Sequence, residues 1–114
     1  MAERLGDVLK KLDKLWKKEK KVSLPEKDVK KHLNKLLKGD AIDVGTIKEY
    51  NTPGGRKVLF VKYVVLDEYG EIEEPKVAVY MTNKDGGKAI LLGSYDPSYL
   101  SGDDFLKKRV SKEK

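Results

Sequence analysis

The chain contains no cysteine and no glutamine, a single histidine, and asparagine only at positions 34, 51 and 83 of its 114 residues. Without cysteine there can be no disulfide framework, no thiolate zinc site and no cysteine nucleophile. No apolar run approaches the roughly 20 residues of a membrane span. The opening segment MAERLGDVLKK carries acids within its apolar positions and does not read as a signal peptide, so a cytoplasmic location is expected. His32 has no second histidine and no obvious carboxylate neighbour in sequence, which argues against a metal centre or histidine-based catalysis. The expectation is a partly exposed helical histidine, with no metal and no cofactor.

Charge is what the chain has in quantity: 39% of residues are Asp, Glu, Lys or Arg, with a net charge of +6. Lysine and glutamate enrichment with few thermolabile amides is the pattern of hyperthermophile proteins, and it predicts an archaeal or archaeal-virus type of chain. A computationally redesigned sequence shares that pattern. The charge is unevenly spread, with a net of +7 over residues 1–38, −4 over 39–74 and +3 over 75–114. Such asymmetry creates a positive region that attracts polyanions; its alternative is a solvated, heat-adapted surface.

The apolar centre of gravity is Lys57 to Asp67, KVLFVKYVVLD. In extended conformation Val58, Phe60, Val64 and Leu66 fall on one side, and Leu59, Val61, Tyr63 and Val65 on the other. Both faces are apolar and branched or aromatic, so the run predicts a central strand needing cover on both sides.

Two basic helices precede it. Leu5, Val8, Leu9, Leu12, Leu15 and Trp16 recur at helical spacing and predict a helix over about Ala2 to Lys20, with Trp16 in the core. Ser23-Leu24-Pro25-Glu26 has the form of a capping box with proline in the first turn. A second helix then turns Val29, Leu33, Leu36 and Leu37 inward and Lys27, Lys30, Lys31, Lys35 and Lys38 outward, ending at Gly39.

The segment VSLPEKDVKKHLNKLLKGDAIDVGTIKEYNTPGGRKVLFVKYV, about a third of the chain, resembles the end of a winged-helix domain. The resemblance implies that VKKHLNKLLK occupies a recognition-helix position, followed by a strand, a glycine-rich wing and a return strand. A helix-turn-helix also has a separate short helix and turn before its recognition helix, whereas one long undivided helix stands there here. No functional residue is transferred from the resemblance.

After Gly39 the period becomes extended. Ile42 to Tyr50, the central run, Val77 to Thr82 and Ala89 to Tyr95 read as strands joined at Asn51–Gly55, Asp67–Pro75 and Asn83–Gly87. Ser101-Gly102-Asp103-Asp104 starts a short helix with Phe105, Leu106 and Val110. The expected fold is α+β: two N-terminal helices packed on one face of a four-stranded antiparallel meander, with a short C-terminal helix, in a single domain. Within it, 1–39 is a basic helical pair, 40–96 the sheet, and 97–114 a short helix with a frayed tail. Tyr63, Tyr80 and Tyr95 are expected on the opposite sheet face, unless bulges at Gly45 or Gly93 reverse the parity.

No catalytic constellation emerges. Gly54-Gly55 and Gly86-Gly87 are hairpin glycines without a strand–loop–helix setting, the acids at 68, 71, 73 and 74 match no calcium loop, and the serines lack a recognisable base. The reading that follows is a non-enzymatic nucleic-acid-binding protein, for DNA more than RNA and largely sequence-independent. Lys27, Lys30, Lys31, Lys35, Lys38, Arg56 and Lys57 would meet phosphates, and Tyr63 and Tyr80 would stack bases. The alternatives are a protein-interaction subunit or homodimer using an apolar sheet face, and a thermostable scaffold, natural or engineered, without ligand.

Overall fold

Strand pairing organises the molecule from the middle outwards. The computed structural model describes residues 4–23, 29–37 and 41–111; Glu26, Lys27, Lys38 and the side chain of Leu37 lie outside the described residues. In chain order the elements are α1 (Leu5–Lys18), β1 (Val22–Ser23), α2 (Val29–Leu37), β2 (Ala41–Asn51), β3 (Lys57–Val65), β4 (Lys76–Thr82), β5 (Lys88–Tyr95) and α3 (Gly102–Ser111). The strands form one antiparallel sheet in the order β1-β5-β4-β3-β2, so the KVLFVKYVV run is an inner strand.

Among the described residues there are five strands where the sequence predicts four. The additional one is Val22–Ser23, which pairs with Ala89 and Lys88 of β5. Ser23 pairs in this short edge strand, and Leu24–Asp28, where the helix start expected at Ser23-Leu24-Pro25-Glu26 falls, lie outside the described residues.

The helix arrangement is the larger correction. The two N-terminal helices do not share a face. α1 and α3 cover one side, where Val8, Leu12, Leu15 and Trp16 meet Val58, Phe60, Val77, Val79, Met81, Ile90 and Leu92, with Leu106 and Val110 of α3. α2 covers the other, where Leu33, with Val29 and Leu36, packs on Val61, Tyr63, Ala78, Tyr80 and Ala89. The physical reason is that β3 and β4 are apolar on both faces. Each fully buried Val or Leu contributes about 1.5–3 kcal/mol, so leaving either face bare costs more than sending the helices to opposite sides.

Bulges set which side chains reach which layer. β2 gains one residue against β3 between Ile42 and Gly45, where Asp43 adopts φ 49, and a second between Thr46 and Lys48. The second bulge pushes Ile47 into solvent (55% exposed) and turns Lys48 and Tyr50 toward α3. β5 gains a residue opposite the Val79–Tyr80 step. Tyr95 is thereby on the α3 side, stacked on Phe105 with ring centroids 5.1 Å apart. Gly93, at this bulge, has φ 143, and a Cβ there would sit 3.0 Å from the Phe105 ring, so glycine lets α3 approach.

Candidate functional site

Two hairpin turns define one end of the sheet, and the functional side chains collect there. β2–β3 turns through Thr52–Arg56 and β4–β5 through Asn83–Gly87, while the acidic β3–β4 connection lies at the opposite end of β3 and β4. In that connection Glu68, Glu71, Glu73 and Glu74 are exposed.

α1 is fixed to the hairpin end by Asp13. One carboxylate oxygen accepts the Thr52 hydroxyl at 2.6 Å and the Arg56 guanidinium at 3.0 Å, and the other accepts the Gly54 N–H at 2.8 Å. The Arg56 guanidinium also lies 5.2 Å from the Trp16 ring centroid, and Lys21 lies 5.5 Å from it on a cation–π contact. At the C-terminal end of α1, Glu19 accepts from Arg109 of α3 at 2.7 Å.

These pairs use the acids Asp13 and Glu19 internally. Lys10, Lys14, Lys17, Lys18 and Lys20 are exposed. Around the corner, β1 aligns Ser23 with Lys88, and the Lys35 ammonium donates to the Ser23 carbonyl. Lys88 of β5 and Lys35 of α2 thus border the β1 edge, and Lys57 and Lys84 carry positive charge at the hairpin end.

A cleft of 480 Å³ opens on the α2 side of this end. Val29 and Leu59 give it apolar surface, Glu49 and Lys57 stand on one side and Lys84 and Asp85 on the other. The Lys57 ammonium lies 3.5 Å from the Glu49 carboxylate. Deeper, the His32 and Tyr80 rings meet edge to face, with centroids 6.2 Å apart. The Tyr80 hydroxyl is buried without a hydrogen-bond partner among the described residues. Burial, helped by the nearby Glu49 charge, pushes its phenol up to about 12.

A second polar cluster lies on the α3 side. Asp103 accepts from the Tyr50 hydroxyl at 2.6 Å and from the Lys48 ammonium at 3.2 Å. The Tyr50 hydrogen bond, reinforced by Lys48, holds the Asp103 carboxyl below the usual carboxylate range. This cluster fastens the start of α3 to β2.

The structure separates the residues that the sequence grouped. Lys30, Lys31 and Lys35 are exposed on α2, and Lys57 is exposed at the cleft. Arg56 points the other way, into Asp13 and Trp16, and acts as a structural clamp. Tyr63 and Tyr80 do not offer their rings to a base: at 6% and 0% exposure both are buried under α2. His32, expected partly exposed, is buried as well, at 8%. The apolar sheet face that a second chain would have needed is the face α2 covers. Sequence reasoning missed Glu49, Lys84 and Asp85 at the cleft, because only the pairing of β2 with β3 and the β4–β5 turn bring them together.

No group of three or more metal-binding side chains occurs among the described residues, and no described helix is long and apolar enough to cross a membrane. The chain matches no protein-family model, no curated protein and no solved structure.

Proposed function

We propose that this protein is a non-enzymatic nucleic-acid-binding protein that engages backbone phosphates with the lysine-rich hairpin end of its sheet. The observation that carries this reading is the charge polarity of the fold. Lys84 and Lys88 are exposed at the hairpin end. The exposed Lys17, Lys18 and Lys20 follow Trp16, which lies by Arg56, and the exposed Lys30 follows Val29, which lines the cleft. The acids of the β3–β4 connection stand at the other end. Asp13 cancels Arg56 and Glu19 cancels Arg109, so the charge of the hairpin end is set by its lysines against Glu49 and Asp85. A polyanion approaching such a dipolar surface is oriented before contact, and each phosphate engaged releases counterions. Phosphate contacts position without reading sequence, so the binding is largely sequence-independent, and DNA is the expected polymer.

The test is fluorescence anisotropy with labelled DNA across a salt series. Affinity should fall steeply with salt, and reversing Lys17, Lys18 and Lys30 to Glu should weaken binding to all sequences alike. Each lost phosphate contact should flatten the log–log salt slope by about one. Binding that is absent at low salt, or indifferent to these reversals, refutes the reading. In that event the second reading gains: Leu66, Tyr69 and Ile72 are 47%, 83% and 64% exposed beside the acids of the β3–β4 connection, which suits an interaction subunit for a basic protein.

A further inference from the structure

The geometry points to the 480 Å³ cleft between α2 and the β4–β5 turn as a mononucleotide subsite, which makes single-stranded nucleic acid the preferred ligand of the hairpin end. The inference rests on the phosphate-binding reading of that end and adds the ligand class. The cleft is of the size that accepts small organic molecules, roughly 300–1,000 Å³. Its chemistry narrows the choice. Val29 and Leu59 supply apolar surface for a flat ring; Glu49 and Asp85 supply acceptors; Lys57 and Lys84 supply cations. A wholly apolar ligand would cover the Lys57–Glu49 pair and offer nothing to Lys84 or Asp85. A compact anion such as free phosphate would meet two carboxylates along with the two ammonium groups.

A nucleotide answers each part. Its base is a flat apolar body edged with N–H donors and carbonyl acceptors, and its phosphate is tied to the base by a sugar long enough to reach the rim. The amino and imino edges of the base suit Glu49 and Asp85, and the phosphate suits Lys57 or Lys84. The side chain of Asn83 already accepts from the Lys88 N–H at 3.2 Å, which holds the turn that carries Lys84 and Asp85. Bases in a duplex are stacked and paired, and entering a side cleft requires their extrusion at a cost of a few kcal/mol. A single strand offers them without that cost.

The experiment uses the full chain. Thr46 is exposed on β2 and lines the cleft, so Thr46→Trp fills it without touching either buried layer. Amide chemical shifts are followed by NMR during titration with adenosine and uridine 5′-monophosphate, with inorganic phosphate as the control. Anisotropy is measured with a labelled single strand and a duplex of equal length. A monophosphate should shift the amides of Lys57, Leu59 and Asn83–Gly86 where phosphate alone does not. Thr46→Trp should lower single-strand affinity by about ten-fold, the worth of one base contact, and leave duplex affinity unchanged. Equal effects of phosphate and monophosphate, or a Thr46→Trp chain that binds single strands as before, would overturn the subsite. If neither polymer binds while the monophosphates still shift these amides, the phosphate-surface reading fails and the cleft stands.

Discussion

Asp13 and Gly54 are 41 residues apart in sequence, yet the Asp13 carboxylate accepts the Gly54 N–H at 2.8 Å. A helix side chain thereby holds the backbone of a hairpin, and with it the orientation of the positive end. A Cβ on Gly54 would stand 2.9 Å from the Asp13 carboxyl carbon and 2.8 Å from the Arg56 guanidinium, so any larger residue there must displace one of these side chains.

Asp13→Ala should therefore destabilise the fold by about 2–4 kcal/mol, because three donors lose a charged acceptor and Arg56 loses its partner. Gly54→Ala should act in the same direction by forcing the two side chains apart. Urea unfolding followed by circular dichroism measures both, and an unchanged midpoint for Asp13→Ala would remove the clamp from the account.

The Tyr50–Asp103–Lys48 cluster predicts a two-sided pH profile. The Asp103 carboxyl is held low by Tyr50 and Lys48, so its contribution is present above the unfolded carboxylate value, about 3.9, and is lost as pH falls through the folded value. Burial, with the Asp103 hydrogen bond, raises the Tyr50 phenol, and the hydrogen bond to Tyr50 leads the causes that raise the Lys48 ammonium. Their contributions are intact below the unfolded values, near 10, and fade as pH rises through the folded ones. Asp103 is 42% exposed, which limits its share to about 1 kcal/mol or less. Tyr50→Phe should flatten the acid limb of stability between pH 5 and pH 3, about the ordinary carboxylate range. Unfolding midpoints across that range decide it, and an undiminished acid limb in the variant would show that Asp103 does not depend on Tyr50.

Tyr80 separates two roles of one side chain. Its ring is fully buried, so Tyr80→Ala should cost about 3–5 kcal/mol, in line with other large aromatic truncations. Its hydroxyl lacks a partner among the described residues, so Tyr80→Phe should be neutral or stabilising by about 1 kcal/mol. Thermal melts compare the two; a marked loss in Tyr80→Phe would mean that the hydroxyl is engaged in solution.

Val61 and Val64 lie on opposite faces of β3 and are both buried, at 0% and 7%. Replacing either by Ala should cost about 1–3 kcal/mol through lost burial and the cavity left behind. An inert substitution at either position would remove the need for cover on that face.

What the sequence made legible were the parts governed by local period. The strand at Lys57–Val65, the hairpins, the helical stripe ending in Trp16 and the Ser101 start of α3 all follow from spacing and turn residues, and Ser101 accepts the Asp104 N–H at 3.1 Å. The side of the sheet each helix takes was not legible, because the stripes of α1 and α2 are equally able to cover either apolar face. That ambiguity misplaced Tyr63 and Tyr80, whose exposure depends on where α2 lands. Val22–Ser23 is too short to show a strand period at all. For the site, the lysines were visible as charge, whereas the pairing of Arg56 with Asp13 and the meeting of Glu49, Lys84 and Asp85 around one cleft are products of tertiary contact.

The two rims of the sheet differ in construction and agree in effect. Exposed backbone on a sheet rim invites a stray chain to add on, and then another. Here one rim is β5, paired with β1 at Lys88 and Ala89 and kinked farther on by its extra residue, and the other is β2, whose ladder is interrupted by two extra residues. Neither presents the long flat template that cross-β growth requires. Crowded copies of the chain, on a polymer if it binds one as proposed or free in solution, would accordingly stay separate bodies.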